Sequence, residues 1–281
     1  MNSLNELIEK EDLVAHYTKR DIAKDYIFKN KTLKIGSLKN LNDPYEAKQA
    51  WLDFGSYITE DKEIEKQRAR TNYSQEKKEK IKNMIGEHIK LLCVSVRSET
   101  KIKGFPETTD FYSNPAMWAH YGDNAQGVCL LFSKEKLNDC IHSSAEHFRV
   151  ESKKIDYFPH NNSIHWIDGE EVETYSDDNK QKLFDDINLD VLKRKLPVWE
   201  YESEYRWIVC SQKPDELYIP YEDSLKAVVL GLNFNLDYLP KLKAQLKNIP
   251  IYRLRYESGN YRVILEGDKK HTLESVFAGV K

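Results

Sequence analysis

Charged and aromatic residues alternate along VWEYESEYRWIV, from Val198 to Val209. Glu200, Glu202, Glu204 and Arg206 share one parity, while Trp199, Tyr201, Tyr205 and Trp207 share the other. A period of two predicts a β-strand with one packed, aromatic face and one charged face. Three carboxylates in a row on a solvated face would repel one another. The stretch is therefore either an ordinary edge strand or a strand whose acids line a cleft.

The same patterning divides the remaining chain into short elements. Helical spacing is expected over residues 4–11, 20–30, 134–148, 184–195 and 236–247, with a short helix over 114–122 ended by Gly122. Strands are expected over 13–19, 32–38, 90–98, 126–133, 150–158, 217–221, 225–232, 250–258 and 261–267. Asn42-Asp43-Pro44 marks a turn in which Pro44 opens a helix. Residues 59–90 are dense in Lys and Glu and read as long exposed helices, a helical insertion of about 57–90 beside the core. The basic residues from Arg68 to Lys82 leave open a role in binding an anionic partner. Residues 160–182 are polar and read as a mobile loop or lid. No glycine-rich fingerprint follows the first strand, and no phosphate-binding G-x-x-x-x-G-K-S/T loop is present, which disfavours a Rossmann domain. The fold class is α+β, one domain over 1–281 on antiparallel strands.

Composition narrows the picture only slightly. The net charge of -3 over 281 residues gives no global pull toward nucleic acid. The four cysteines are far apart without a C-x-x-C pair, which disfavours a zinc ribbon and points to a reducing cytoplasm. No apolar run of about 18 residues suggests a membrane span, and MNSLNELIEKEDL does not read as a signal peptide. His142, His147, His160 and His165 do not form a strong metal-ligand pattern, so no metal is expected.

Two constellations carry candidate chemistry. On a strand, residues two apart lie about 6.5–7 Å from each other on one face, so Glu202, Glu204 and Arg206 would form an acid–acid–base ladder. In a cleft, repulsion raises one carboxylate's pKa while Arg206 holds another ionised. On a surface, the ladder is only an ion pair. His16, Tyr17 and Thr18 occupy a short apolar strand, where a histidine is either a structural hydrogen-bond partner or a cleft group. Trp118, His120 and Tyr121 either stack a planar ring and bind its substituents or anchor the helix in the core.

AHYTKRDIAKDYIFKNKTLKIGSLKNLNDPYEAK, CVSVRSE, NPAMWAHYGDNAQGVCLLF, KIDYFP, LPVWEYESEYRWIV and LKAVVLG together resemble a widespread bacterial family of domains of unknown function, family 2971. The resemblance spans about 13–232, with M-W-x-H-Y-G and W-x-x-E-x-E-x-R as its specific pieces. That family looks like a remote relative of the ADP-ribosyltransferases. The resemblance implies a split antiparallel sheet holding NAD in its cleft, and transfer of ADP-ribose to a nucleic acid or protein. It implies that His16 contacts the adenosine-side ribose, with Tyr17 and Thr18 after it and Ser37 on the next strand among the NAD-binding residues. It further implies an aromatic at the nicotinamide, here Tyr121 or Trp118 beside His120, and Glu204 with Glu202 and Arg206 as the catalytic set. A toxin-like role in bacterial phage defence, with a neutralising antitoxin partner, is the corresponding biology. The competing expectations are a non-catalytic nucleotide-binding sensor and an interaction module.

Overall fold

The computed structural model describes residues 4–54, 75–97, 111–158, 165–167, 175, 180–211, 216–257 and 260–265. After α1 (Leu4–Lys10) comes β1 (Leu13–Thr18), whose apolar run is almost wholly buried. The next helix, α2, is built of Arg20–Ile22, a π-helical segment Ala23–Ile27, and Phe28–Asn30. It ends on Lys31, a left-handed residue at φ 54°, and β2 (Thr32–Ser37) follows. The Asn42-Asp43-Pro44 turn opens α3 (Pro44–Ala47) as the sequence suggests: Asp43 Oδ1 accepts the backbone N–H of Tyr45, and Pro44 takes the first helical position. Beyond β3 (Leu52–Phe54), α4 (Gln75–His88) leads directly into β4 (Ile89–Ser95).

The middle of the chain supplies α5 (Pro115–His120), β5 (Val128–Ser133) and α6 (Lys134–Ser144). These are followed by β6 (Arg149–Lys154), β7 (Asp156–Tyr157) and β8 (His165–Ile167). Then come α7 (Lys180–Asp186), a 3-10 turn Leu189–Lys193 and β9 (Arg194–Lys195). A second 3-10 turn, Pro197–Glu202, precedes β10 (Glu204–Cys210). The chain continues through β11 (Leu217–Pro220), β12 (Leu225–Leu230), α8 (Leu239–Leu246), β13 (Ile251–Glu257) and β14 (Asn260–Leu265).

Among the described residues, ten strands form one mixed but mostly antiparallel sheet, in the order β11-β2-β4-β1-β5-β12-β13-β14, with β10 against β4 and β6 against β10. Its central feature is a split. β10 pairs with β4 along the whole of Ile89–Ser95. The other edge of β4 is shared: β1 holds Ser95, and β2 holds Lys90 and Leu91. Between these two contacts the edge at Leu92–Val94 has no paired strand, and the sheet parts there.

Side chains on the two faces of a strand alternate, and the core follows that rule. One cluster covers a single face with Val14, Leu92, Val94, Phe132, Trp207 and Val209, sealed by α2, α6 and α8. The opposite face carries two clusters. One packs Leu91, Ile208 and Cys210 against Ile81, Met84 and Ile85 of α4. The other packs Ala15, Cys129, Leu131 and Val229 against Met117 and Trp118. At the end of β1, the Thr18 carbonyl lies directly on the turn into β5. A Cβ on Gly127 would stand 2.2 Å from that oxygen, so only glycine fits.

Several expectations are corrected. The alternation of VWEYESEYRWIV is a strand only from Glu204 onward. Pro197 opens a 3-10 turn instead, and Ser203 at φ 44° redirects the chain before β10 begins. Residues 57–74 of the expected insertion lie outside the described residues. The described remainder is α4, whose Ile81, Met84 and Ile85 are buried in the core rather than exposed. Most of the expected loop over 160–182 also lies outside the described residues, but His165–Ile167 pairs in parallel with β3. No described helix is long and apolar enough to cross a membrane.

Candidate functional site

A cavity of about 310 Å³ opens at the split, between the two clusters of the same face. Its wall takes His16 and Tyr17 from β1, Gly36 from β2, Asn42, Asp43 and Glu46 from the turn and α3, Cys93 and Ser95 from β4, and Met117 and Tyr121 from the α5 region. Lys195, Glu202 and Glu204 complete it. Ala15 and Glu204 are both opposite Ser95, on either side of β4. With strands about 4.8 Å apart, the backbones of β1 and β10 lie about 10 Å apart there.

Beneath the wall lies a buried network of five charges, three carboxylates against two cations. Arg206 is fully buried. Its Nε donates to Glu204 Oε1 at 2.7 Å and its Nη2 to Glu204 Oε2 at 2.8 Å. Its Nη1 serves Glu46 Oε1 and, at 2.7 Å, the Leu192 carbonyl, with a longer Nη2 contact of 3.4 Å to Glu46 Oε2. All five guanidinium donors are thus engaged. Lys195 stands 2.6 Å from Glu202 Oε2, 2.9 Å from Glu204 Oε2 and 3.8 Å from Glu46 Oε2. β9 is held in place by its parallel pairing with β7, which sets Tyr157 beside Lys195. Tyr157 Oη in turn accepts the backbone N–H of Glu204 at 2.8 Å.

The two glutamates are not equivalent. Glu204 accepts from Arg206 twice, from Lys195 and from the Cys93 thiol. These four contacts fill the roughly four lone-pair positions of a carboxylate. Burial alone would raise its pKa, but Arg206 and Lys195 more than offset that and hold it well below the usual carboxylate range. Among the described residues, Glu202 accepts only from Lys195 and, at 2.6 Å, from Tyr121 Oη. Burial raises its pKa, with Lys195 opposing and the Glu204 charge reinforcing the rise. Glu202 therefore retains acceptor capacity and sits nearer the range where a carboxyl group moves protons. Burial and Glu202 push the Tyr121 hydroxyl far up, so it remains a donor.

His16 Nδ1 lies 3.3 Å from the Cys93 carbonyl. A carbonyl only accepts, so Nδ1 carries the proton of the neutral ring and Nε2 is left as an acceptor. Burial lowers the pKa of this histidine, and the bond to Cys93 opposes that only in part.

The structure brings His16, Tyr17, Tyr121, Glu202 and Glu204 to one cavity, but not the other residues singled out from the sequence. Tyr17 touches the wall while its hydroxyl donates to the Phe111 carbonyl at 2.6 Å. Trp118 is a core residue, edge-on to Tyr17 and donating to the Tyr112 carbonyl. His120 is exposed and stacks on Tyr201. Met117 and Tyr121, four residues apart, face the cavity, and Trp118 and His120 point elsewhere around α5. Thr18 is buried at the end of β1, Ser37 receives a bond from Lys90, and Arg206 lies behind Glu204. Sequence reasoning missed Asp43, Glu46, Cys93, Ser95 and Lys195. Only Asp43 gave a signal there, as a turn residue.

The site thus defines an α+β protein with a cavity at a parted sheet, backed by a buried charge network. The family model described as protein of unknown function (DUF2971) matches residues 117–207, the segment that supplies Tyr121, Lys195, Glu202, Glu204 and Arg206. No curated protein and no solved structure matches the chain significantly.

Proposed function

We propose that this chain is an NAD-dependent ADP-ribosyltransferase whose donor site is the cavity at the split. The supporting observation is that His16 and Glu202, 186 positions apart in the sequence, line one cavity together with Glu204, whose charge the buried network fixes. A cavity of about 310 Å³ lies at the small end of ligand sites. It suits a nucleoside half of NAD, with the rest extending outward past Lys34 at the rim.

In this reading the bond from ribose C1′ to nicotinamide breaks, and nicotinamide leaves with the electron pair. The ribosyl cation that develops faces the negative charge of the network, held in place before the reaction. Glu202, oriented by Tyr121 and Lys195, takes the proton of the acceptor as it bonds to C1′. The roles inferred from resemblance are thereby redistributed: Glu204 supplies charge, and Glu202 is the carboxylate that meets substrate. The acceptor is a nucleic acid or a protein, and a toxin-like effector with a neutralising partner is the matching biology.

The filled carboxylate of Glu204 favours a second reading, a non-catalytic nucleotide sensor. Incubation with labelled NAD and lysate separates the two. Transferase activity gives labelled macromolecule, which nuclease and protease digestion assign to an acceptor class. A sensor binds nucleotide and yields neither labelled acceptor nor free nicotinamide.

A further inference from the structure

Three aromatic rings stand together at the surface, next to the cavity wall. The exposed His120 stacks on Tyr201, with ring centroids 5.9 Å apart and planes 28° from parallel. Trp199 lies 6.2 Å from the same Tyr201 ring, tilted by 40°. Trp199 and Tyr201 are both partly exposed. Val198 beside them is 70% exposed, the most of any large hydrophobic among the described residues. The main chain under these rings is fixed, because Asn114 caps α5 through Oδ1 and donates from Nδ2 to the Tyr201 carbonyl at 2.6 Å. Rings held in place with open faces offer a platform on which another planar ring stacks.

The platform is joined to the cavity at three points. The 3-10 turn Pro197–Glu202 carries Val198, Trp199 and Tyr201 and ends on Glu202, which lines the cavity. Tyr121, next to His120 in the chain, lines it too and bonds to Glu202. Lys195, a third lining residue, has its ammonium 5.1 Å from the centre of the Trp199 ring. A ring that stacks here is therefore brought to the Glu202 side of the cavity.

The surroundings of the platform favour an anionic partner. Val96 donates its backbone N–H to the Ser203 carbonyl, which sets the exposed Arg97 beside the turn. β9 brings Arg194, and β6 ends on the exposed Lys154, opposite Tyr205 of β10. Lys153 and Asp156 offset each other as an ion pair. Glu200 is the exposed acid of the turn. Basic side chains thus outnumber acids around the rings, a local pull on phosphates that the whole-chain charge of -3 conceals. A cationic peptide, the other partner that ring faces attract, is repelled by the same side chains.

We propose that His120, Tyr201 and Trp199 form the acceptor platform, and that it stacks an unpaired base of a single-stranded nucleic acid. Paired bases keep their faces inside the duplex, so the platform selects single strands. The inference rests on the transferase reading for the base's role as acceptor, while the binding itself is independent of NAD.

The test is fluorescence anisotropy of the full chain without NAD. The probes are a labelled mixed-sequence strand of about twelve nucleotides, as RNA and as DNA, and the duplex of each. At least one single strand is expected to bind about tenfold or more tightly than its duplex. His120→Ala and Tyr201→Leu are each expected to weaken strand binding about five- to hundredfold, whereas Tyr201→Phe, which keeps the ring, retains wild-type affinity. His120 is exposed, so its variant folds normally by circular dichroism and keeps the test decisive if Tyr201→Leu does not. No binding of either strand, equal binding of the duplexes, wild-type affinity in folded His120→Ala, or the same loss in Tyr201→Phe as in Tyr201→Leu would overturn the proposal. Nicotinamide release from NAD, measured on the same preparation, judges the transferase reading separately. Strand binding without release removes only that reading, and release with label on protein alone and no strand binding removes only this inference.

Discussion

Glu204 and Arg206 stand two residues apart on β10 and form a two-pronged ion pair, 2.7 and 2.8 Å, in a site where Arg206 has no solvent exposure. Period-two spacing puts both on one strand face, and the fork of a guanidinium matches the two oxygens of a carboxylate. The pair anchors everything the cavity presents, because Glu46 and the Leu192 carbonyl bind the same guanidinium.

Removing that anchor strands two buried carboxylates. Arg206→Met is expected to lower the unfolding free energy by about 3–5 kcal/mol, measured by urea unfolding followed by circular dichroism. A loss below about 1 kcal/mol would mean that the network is not sealed from water. Arg206→Lys is expected to recover only part of the loss, since an ammonium cannot span both Glu204 oxygens.

Lys195 and Glu202 should behave as a coupled pair. Lys195→Met leaves three buried carboxylates with Arg206 as the remaining cation of the network and is expected to be strongly destabilising, whereas Lys195→Met with Glu202→Gln removes one charge of each sign. The double variant is therefore expected to be more stable than the sum of the single losses implies, with a coupling energy of about 1–3 kcal/mol in a double-mutant cycle. Additive losses would separate the two residues energetically and contradict the 2.6 Å contact.

Two half-buried histidines, His16 and His165, give a pH dependence of definite sign. Burial lowers the pKa of His16, and also that of His165. The unfolded chain then takes up protons near the ordinary value of 6.5 while the folded protein resists. Their contribution is fully present above that value and is lost as pH falls toward the lowered folded pKa. Glu46 and Glu202, raised by burial, oppose this trend at lower pH, so the comparison must be made against a variant. Between pH 7 and 5.5, His16→Asn is expected to lose less stability than wild type in urea titrations. A parallel loss in the two proteins would show that the fold does not lower the pKa of His16.

Much of the strand pattern was legible because core strands carry their own hydrophobic signature. LVAHYT, KLLCVS, VCLLFS and LKAVVL are all strands of the main sheet. The acids of EYESEYR were legible as candidates for a cleft, alongside the ordinary edge strand that the same alternation allows. What neutralises them was not. Lys195 lies in LKRKLP, where one lysine among basic neighbours carries no pattern, and Glu46 reads as an ordinary helix residue after Pro44. Both acquire their roles from contacts across the fold, which periodicity cannot register. The left-handed Ser203 was equally hidden, because serine gives no warning of a positive φ.

The most direct check on the central claim is nicotinamide release from labelled NAD by wild-type protein and by Glu202→Gln, with both proteins confirmed folded by circular dichroism. Wild type is expected to release nicotinamide, and the variant to lose at least about a hundredfold in rate, the usual scale for removing a general base. Release by Glu202→Gln at the wild-type rate would contradict the assignment, and no release by folded wild-type protein with its acceptor present would contradict the transferase reading.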